Sequence, residues 1–322
     1  MTNNIKSNKN NVTFSVLWQK YGTICIFLLL LVVLAIAKPS AIFSRSSIPQ
    51  ILKQSSVNIL LTLGEFFAIL IAGIDLSVGA IAGLVGIISA KLMVAGMSVG
   101  LALFIGLLAS AFFGFVNGWL VNSTGLHPFI ITIGTQSIFQ GIMLVSTNSR
   151  NVFGFPVSFS NFMSGSLGFL PVPVIIALVA AVFCWFFTTK TKCGRNIYAL
   201  GGNKEAAWFS GVNVKLHTLI VFIISGLCSG IAGIVLLGRL GAAAPTAGTG
   251  YETYAIAASI IGGTSFFGGK GKIFGIVIGG LIIGIINYGM TALTIPSSYQ
   301  KIVMGALIII SVTIDHFVST NK

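Results

Sequence analysis

Residues 61–90 read LTLGEFFAILIAGIDLSVGAIAGLVGIISA. Two apolar runs are joined here by Gly73-Ile74-Asp75-Leu76-Ser77, and the only charges are Glu65, midway along the first run, and Asp75 in the break. A helix crossing a bilayer needs roughly 20 mostly apolar residues, and no irregular backbone is tolerated against lipid. The stretch therefore reads as two membrane helices with a polar interruption between them.

The same pattern continues outward through all 322 residues, 55% of them apolar and 7% charged. Read against their interruptions, the apolar stretches give about ten spans: 22–37, 55–72, 78–94, 99–121, 127–146, 167–187, 219–240, 254–267, 273–293 and 302–317. The run 254–267 is short and broken by glycine. The expected fold is an all-α polytopic membrane helix bundle with both termini cytoplasmic. A tail 1–21 precedes one transmembrane domain 22–317, which carries a long polar loop 188–217, and a tail 318–322 follows.

The positions of Lys and Arg set the orientation, because cytoplasmic loops are enriched in them. With ten spans and an inner N-terminus, Lys6, Lys9, Lys20, Lys190, Lys192, Arg195, Lys204, Lys215, Lys270, Lys272 and Lys322 fall inside. Lys38, Arg45, Lys53, Lys91, Arg150, Arg239 and Lys301 fall at the outer side. Trp18, Trp119, Trp185 and Trp208 all land at or beyond the inner boundary, where amphipathic rings are favoured. The net charge of +13 is then a loop bias with a shortage of acids, attractive to anionic headgroups. Basic residues scattered over separate loops do not make a nucleic-acid-binding face. The first span also reads as a signal peptide ending at Ala35-Ile36-Ala37, but its removal would put the basic loop 188–217 outside.

Neither the four cysteines nor His127, His217 and His316 have metal-ligand spacing, so no metal site is expected. Glycine is abundant, 39 residues, and recurs as small-xxx-small pairs: Gly79/Gly83, Gly114/Gly118, Gly226/Gly230, Gly275/Gly279 and Gly280/Gly284. Such pairs let helix backbones approach closely in lipid, and they also arise by chance in glycine-rich spans. The segment Gly262-Gly263-Thr264-Ser265-Phe266-Phe267-Gly268-Gly269-Lys270-Gly271 imitates a phosphate loop but lacks its spacing. No nucleophile, base or carboxylate pair forms a catalytic set, so an enzyme is not expected and no cofactor is implied.

The acids are Glu65, Asp75, Glu205, Glu252 and Asp315. A carboxylate at membrane depth costs at least about 2.5–3.5 kcal/mol by insertion scales, so Glu65 should face the protein interior, lining a solute path or pinning helices. Asp75 or Ser77 is expected to cap the helix that follows. A short echo, Glu65-x-x-Ala68-Ile69 against Glu252-x-x-Ala255-Ile256, hints at an internal repeat.

Within the polar loop, residues 203–211 read as one short helix. Asn203 is the N-cap, Glu205 sits in the first turn, and Gly211 is the stop. Ala206, Ala207, Trp208 and Phe209 give it an apolar surface fit for a partner or for the bilayer interface, with Ser210 at its end.

The run Gly194-Arg195-Asn196-Ile197-Tyr198-Ala199-Leu200-Gly201-Gly202-Asn203, continuing through Ala206-Ala207 and Ser210-Gly211-Val212, resembles the cytoplasmic coupling segment of permease subunits of bacterial ABC-type monosaccharide importers. The blocks 245–252, 255–258 and 262–271 resemble the same family, as does Ala72-Gly73-Ile74-Asp75-Leu76-Ser77-Val78-Gly79; the similarity covers nearly the whole chain after Trp18, and it is nearest to ribose and allose permeases. The resemblance implies a homodimer in the bacterial inner membrane, a separate ATPase subunit that uses ATP, an extracytoplasmic sugar-binding protein and a monosaccharide substrate. It assigns Asn203, Glu205, Ala206, Ala207, Trp208, Ser210 and Gly211 to coupling with the ATPase, and leaves Glu65, Asp75, Ser77 and Glu252 as path or helix-break residues. Lys204, Trp208 and Phe209 depart mildly from the family's coupling segment. The competing expectations are a permease for another small polar solute, such as a signalling furanosyl compound or a branched-chain amino acid, and a secondary transporter in which Glu65 carries a proton.

Overall fold

The structure, a computed structural model, describes residues 9–44 and 47–320, and side-chain surroundings for 23–44, 47–296 and 298–313. Lys6, Arg45 and Lys322 lie outside the described residues, as do the side chains of Lys9, Trp18, Lys20, Asp315 and His316. The elements in order are α1 (Lys9–Ala37), α2 (Ser40–Phe43), α3 (Ser47–Leu70), α4 (Val78–Val94), α5 (Val99–Thr124), α6 (Pro128–Thr147) and α7 (Val157–Ser164). A two-residue hairpin follows, β1 (Ser166–Leu167) with β2 (Leu170–Pro171). Then come α8 (Val172–Lys190), α9 (Lys192–Gly202), α10 (Lys204–Phe209), α11 (Val214–Leu240), α12 (Tyr251–Ile261), α13 (Ile273–Ala292) and α14 (Ser297–Thr320). The chain is an all-α polytopic membrane protein. Among the described residues five helices, α5, α6, α8, α11 and α13, are long and apolar enough to cross a bilayer.

The long helix α3 is absent from those five because it is too polar, and its position explains why. From Ser55 to Leu70 every residue is buried, with α8, α11, α12 and α13 packed around it. A helix that meets no lipid need not be apolar, so Ser55, Ser56, Asn58, Thr62 and Glu65 are carried at its centre. The periphery is the converse: only 22% of the apolar stretch is buried in α5 and α6, against 67% in α11.

All five glycine pairs lie at close crossings. A Cβ on Gly114 would stand 2.2 Å from the Phe222 carbonyl oxygen, one on Gly226 2.4 Å from that of Ser110, and one on Gly279 2.0 Å from that of Ala258. Gly280 and Gly284 seat Ile59 and Ser55 of α3, while Gly79 and Gly83 admit the backbone of residues 247–248. Helix spacing here is set by backbone contact, as expected where no hydrophobic force drives association.

Three basic residues expected on the poorly basic side have a local task. The Lys38, Lys53 and Lys91 ammonium groups donate to carbonyls of Ala292, Ser164 and Ser146, at the C-terminal ends of α13, α7 and α6. Free carbonyls at a helix C-terminus attract cations, so these lysines cap helix ends.

Three expectations are corrected. The run 254–267 is not one helix: α12 stops at Ile261, where Gly262 meets the Gly275 carbonyl and Gly263 turns with φ +87°. The span placed at 167–187 begins instead at Val172, residues 166–171 being the hairpin. The loop 188–217 contains two helices, α9 and α10. In α9, Thr191 accepts from the Gly194 N–H at 3.0 Å, and Gly194, Ile197 and Leu200 face inward at helical spacing.

Candidate functional site at the broken helices and the 204–209 helix

After α3 ends at Leu70, the chain turns and Gly73–Ser77 runs back along it until the Asp75 N–H donates to Glu65 Oε1 at 3.2 Å. Thr132 of α6 holds this turn by accepting from the Leu76 N–H at 3.1 Å and donating to the Ile74 carbonyl at 3.0 Å. Asp75 Oδ1 accepts from the Ser77 N–H at 3.0 Å and the Ser77 hydroxyl at 2.6 Å, and Oδ2 accepts from the Ser225 hydroxyl of α11 at 2.7 Å. Ser77 Oγ in turn accepts from the Asn117 amide of α5 at 2.7 Å. All four side chains are fully buried. The expected helix cap is therefore corrected: Ser77 occupies the N-cap position of α4 but makes no capping bond, since the Asp75 carboxylate takes its hydroxyl.

A second break enters from the other end of the bundle. Beyond Leu240 the chain turns at Gly241, pairs Ala243 with Val152, and descends along α4. Ala247 and Gly248 lie against Gly83 and Gly79, so close that a Cβ on Gly248 would be 2.0 Å from the Gly79 carbonyl oxygen. Gly248 and Gly250 adopt φ of +82° and +84°, which L residues rarely enter, and α12 starts only at Tyr251. With 11 residues, α12 is about 16 Å long at ~1.5 Å per residue, roughly half a hydrocarbon core.

The two breaks bring Glu65 and Glu252, 187 positions apart, into one neighbourhood, where Asp75 and Glu252 are the charged neighbours of Glu65. Glu65 is completely buried, and its Oε2 has no partner. Glu252 is half-buried beside the Gln136 side chain of α6, and its Oε2 is likewise buried without a partner. Glu65→Gln keeps the acceptor for the Asp75 N–H and the volume, so we expect folded protein with uptake altered less than about tenfold, a change of under 1.4 kcal/mol. Side-by-side purification yield and initial uptake rates check this.

The other candidate element lies at the opposite surface of the first break. The Gly269 N–H donates to the Leu70 carbonyl at 2.9 Å, Gly201 packs on the same carbonyl, and the Tyr198 hydroxyl donates to the Gly271 carbonyl at 2.9 Å. Burial pushes the Tyr198 phenol above its usual range, which keeps it protonated as that donor. His217 and Asn196 tie α9 to α11 at 3.1 Å. Lys190, Lys192, Arg195, Lys204, Lys215, Lys270 and Lys272 thus gather at one end of the bundle. There α10 projects. Asn203 Oδ1 accepts from the Ala206 N–H at 2.8 Å, and Gly211 closes the helix at φ +83°. Trp208 and Phe209 are 62% and 79% exposed, their rings edge-on at 4.8 Å. Ala207 is not on this surface: only 4% exposed, it faces the protein, so the outward apolar face consists of Ala206, Trp208 and Phe209.

Residues 47–312 match the family described as branched-chain amino acid transport system / permease component. The D-allose transport system permease protein AlsC of Escherichia coli strain K12 is 54% identical over 97% of this chain and 96% of its own length. The ribose import permease protein RbsC of Bacillus subtilis is 38% identical over 98% of each chain. The galactose/methyl galactoside import permease protein MglC of Salmonella typhimurium is 36% identical over 95% of this chain and 96% of its own. No solved structure matches.

Proposed function

The chain belongs to the family of branched-chain amino acid transport system permease components, and we propose that it is the membrane-spanning subunit of an ABC-type importer for an allose- or ribose-like monosaccharide. The observation that carries this reading is end-to-end similarity to permeases for three monosaccharides, at 54% identity to the D-allose protein. The chain is a permease of the inner membrane and not an enzyme.

In this reading α1, α3, α4, α5, α6, α8, α11, α13 and α14 each cross the membrane, and the descent 241–250 together with α12 makes the tenth crossing of one transmembrane domain, 22–317. The tails 1–21 and 318–322 are cytoplasmic. A second copy completes a homodimer, an extracytoplasmic sugar-binding protein delivers substrate, and ATP is used only by a separate ATPase subunit. Asn203, Glu205, Ala206, Trp208, Ser210 and Gly211 form the coupling helix, with Ala207 anchoring it to the bundle. Asp75 and Ser77 hold the first break, and Glu65 sits behind it. Gathering of basic loops at one end supports this orientation.

Orientation has its own test. In a background lacking native cysteines, Asn148→Cys should react from outside with a thiol reagent that cannot cross membranes, and Asn203→Cys only after permeabilisation. Reversed labelling overturns the topology. The substrate reading is tested by reconstituting the chain with its ATPase and binding protein: saturable uptake of labelled D-allose, competed by D-ribose, is expected. Uptake of leucine without any sugar overturns it.

A further inference from the structure

One face of α6 is open in this chain. Its other face, Thr132, Thr135, Phe139, Met143 and Thr147, is buried, whereas a Cβ added at Gly134 or Gly141 would meet nothing within 4 Å. α6 is also the least apolar of the five long spans. Most of the outward side chains of α6 are aliphatic, Ile130, Ile133, Ile138, Ile142 and Val145 among them, but one edge is polar at mid-helix: Ser137 is exposed and Gln136 and Gln140 are half-exposed.

The first turn of α12 borders this face. Glu252 lies beside Gln136 at that edge, half-exposed as a residue, with its Oε2 buried toward Gly79 and unpartnered. A carboxylate facing hydrocarbon is expensive, and an amide without partners there is too. This polar edge therefore does not meet lipid tails.

We propose that the polar edge of α6 and Glu252 of α12 line the sugar path, with Gln136, Ser137, Gln140 and Glu252 contacting the solute. The set suits a neutral polyhydroxylated ring. Two amides and a hydroxyl both donate and accept, and the half-exposed Glu252 carboxylate accepts from sugar hydroxyls. A cation or an anion would want a net charge opposite to its own with further charged partners, and among the described residues no group of His, Cys, Asp and Glu could hold a metal ion. The inference rests on the sugar-permease reading.

The test uses the assembled transporter without native cysteines, carrying Ser137→Cys, Gln140→Cys or, as a lipid-facing control, Phe112→Cys; Phe112 is 59% exposed on α5. A charged methanethiosulfonate reagent should modify the two α6 cysteines at least about tenfold faster than the control, because only a thiolate reacts and a thiol in lipid seldom ionises. Saturating D-allose should slow that modification, and Gln136→Leu should change the preference between D-allose and D-ribose while expression holds. Modification no faster than at Phe112 overturns the proposal. So does a spontaneous disulfide joining Ser137→Cys of two copies without reagent access, which makes this face a contact between copies. So does fast modification that D-allose leaves unchanged in a transporter that carries D-allose. If the unmodified transporter carries no sugar at all, the sugar-permease reading fails instead, and the contrast with Phe112 still decides whether the face lines a wet path.

Discussion

Asp75→Ala should abolish folded, monodisperse protein, whereas Asp75→Asn should be recovered with most of its stability. The carboxylate accepts from the Ser77 N–H, the Ser77 hydroxyl and the Ser225 hydroxyl, all in a fully buried site. Truncation strands up to three buried donors at roughly 1–3 kcal/mol each, and leaves the first break detached from α11. The sum is of the order of a protein's whole stability. Asparagine retains one acceptor, and its amide can donate to a hydroxyl that rotates to accept, so the clamp survives in part. Yield after size-exclusion chromatography and the thermal midpoint in detergent check both variants. Equal midpoints for Asp75→Ala and the unsubstituted protein would show that the break is held by something else.

Trp208→Asp should separate transport from folding. Trp208 and Phe209 stand outward on α10 with no core to join, and large aromatics in that position on a coupling segment are the class of residue that anchors interfaces. A loss of at least 2 kcal/mol on placing a carboxylate there weakens ATPase binding by about 30-fold. Expression and detergent stability should be unchanged, and co-purification of the ATPase and sugar uptake should both be lost. Ala207→Asp should behave differently. Its side chain is buried, so the substitution forces a charge into the packing between α10 and the bundle and should lower folded yield before it affects docking. Normal ATPase recovery with Trp208→Asp would remove α10 from the interface.

The long helices were legible because the bilayer dictates the length and composition of whatever crosses it. The glycine pairs were legible as close-approach positions, and all five fall at crossings. α10 was legible from its caps, Asn203 and Gly211, which act locally. The missed features depend on distant partners. Asp75 looks like a helix cap from its neighbours, but Ser225, 150 positions later, accounts for its orientation. The length of α12 is set by a descent that only Gly79 and Gly83 permit, and the inward turn of Ala207 by how α10 docks on the bundle. For α9, Thr191 as N-cap and the Gly194, Ile197, Leu200 spacing were readable signals, masked by three glycines and low overall hydrophobicity. The open face of α6 shows only when the buried face has been identified.

The most direct measurement of the account is sugar uptake into proteoliposomes holding this chain, its ATPase and binding protein, with ATP enclosed on the ATPase side, in the presence and absence of an uncoupler. The account predicts uptake that requires ATP, survives the uncoupler and persists at a comparable rate in Glu65→Gln. Uptake by the chain alone that the uncoupler and Glu65→Gln both abolish would contradict it and make the protein a proton-coupled carrier.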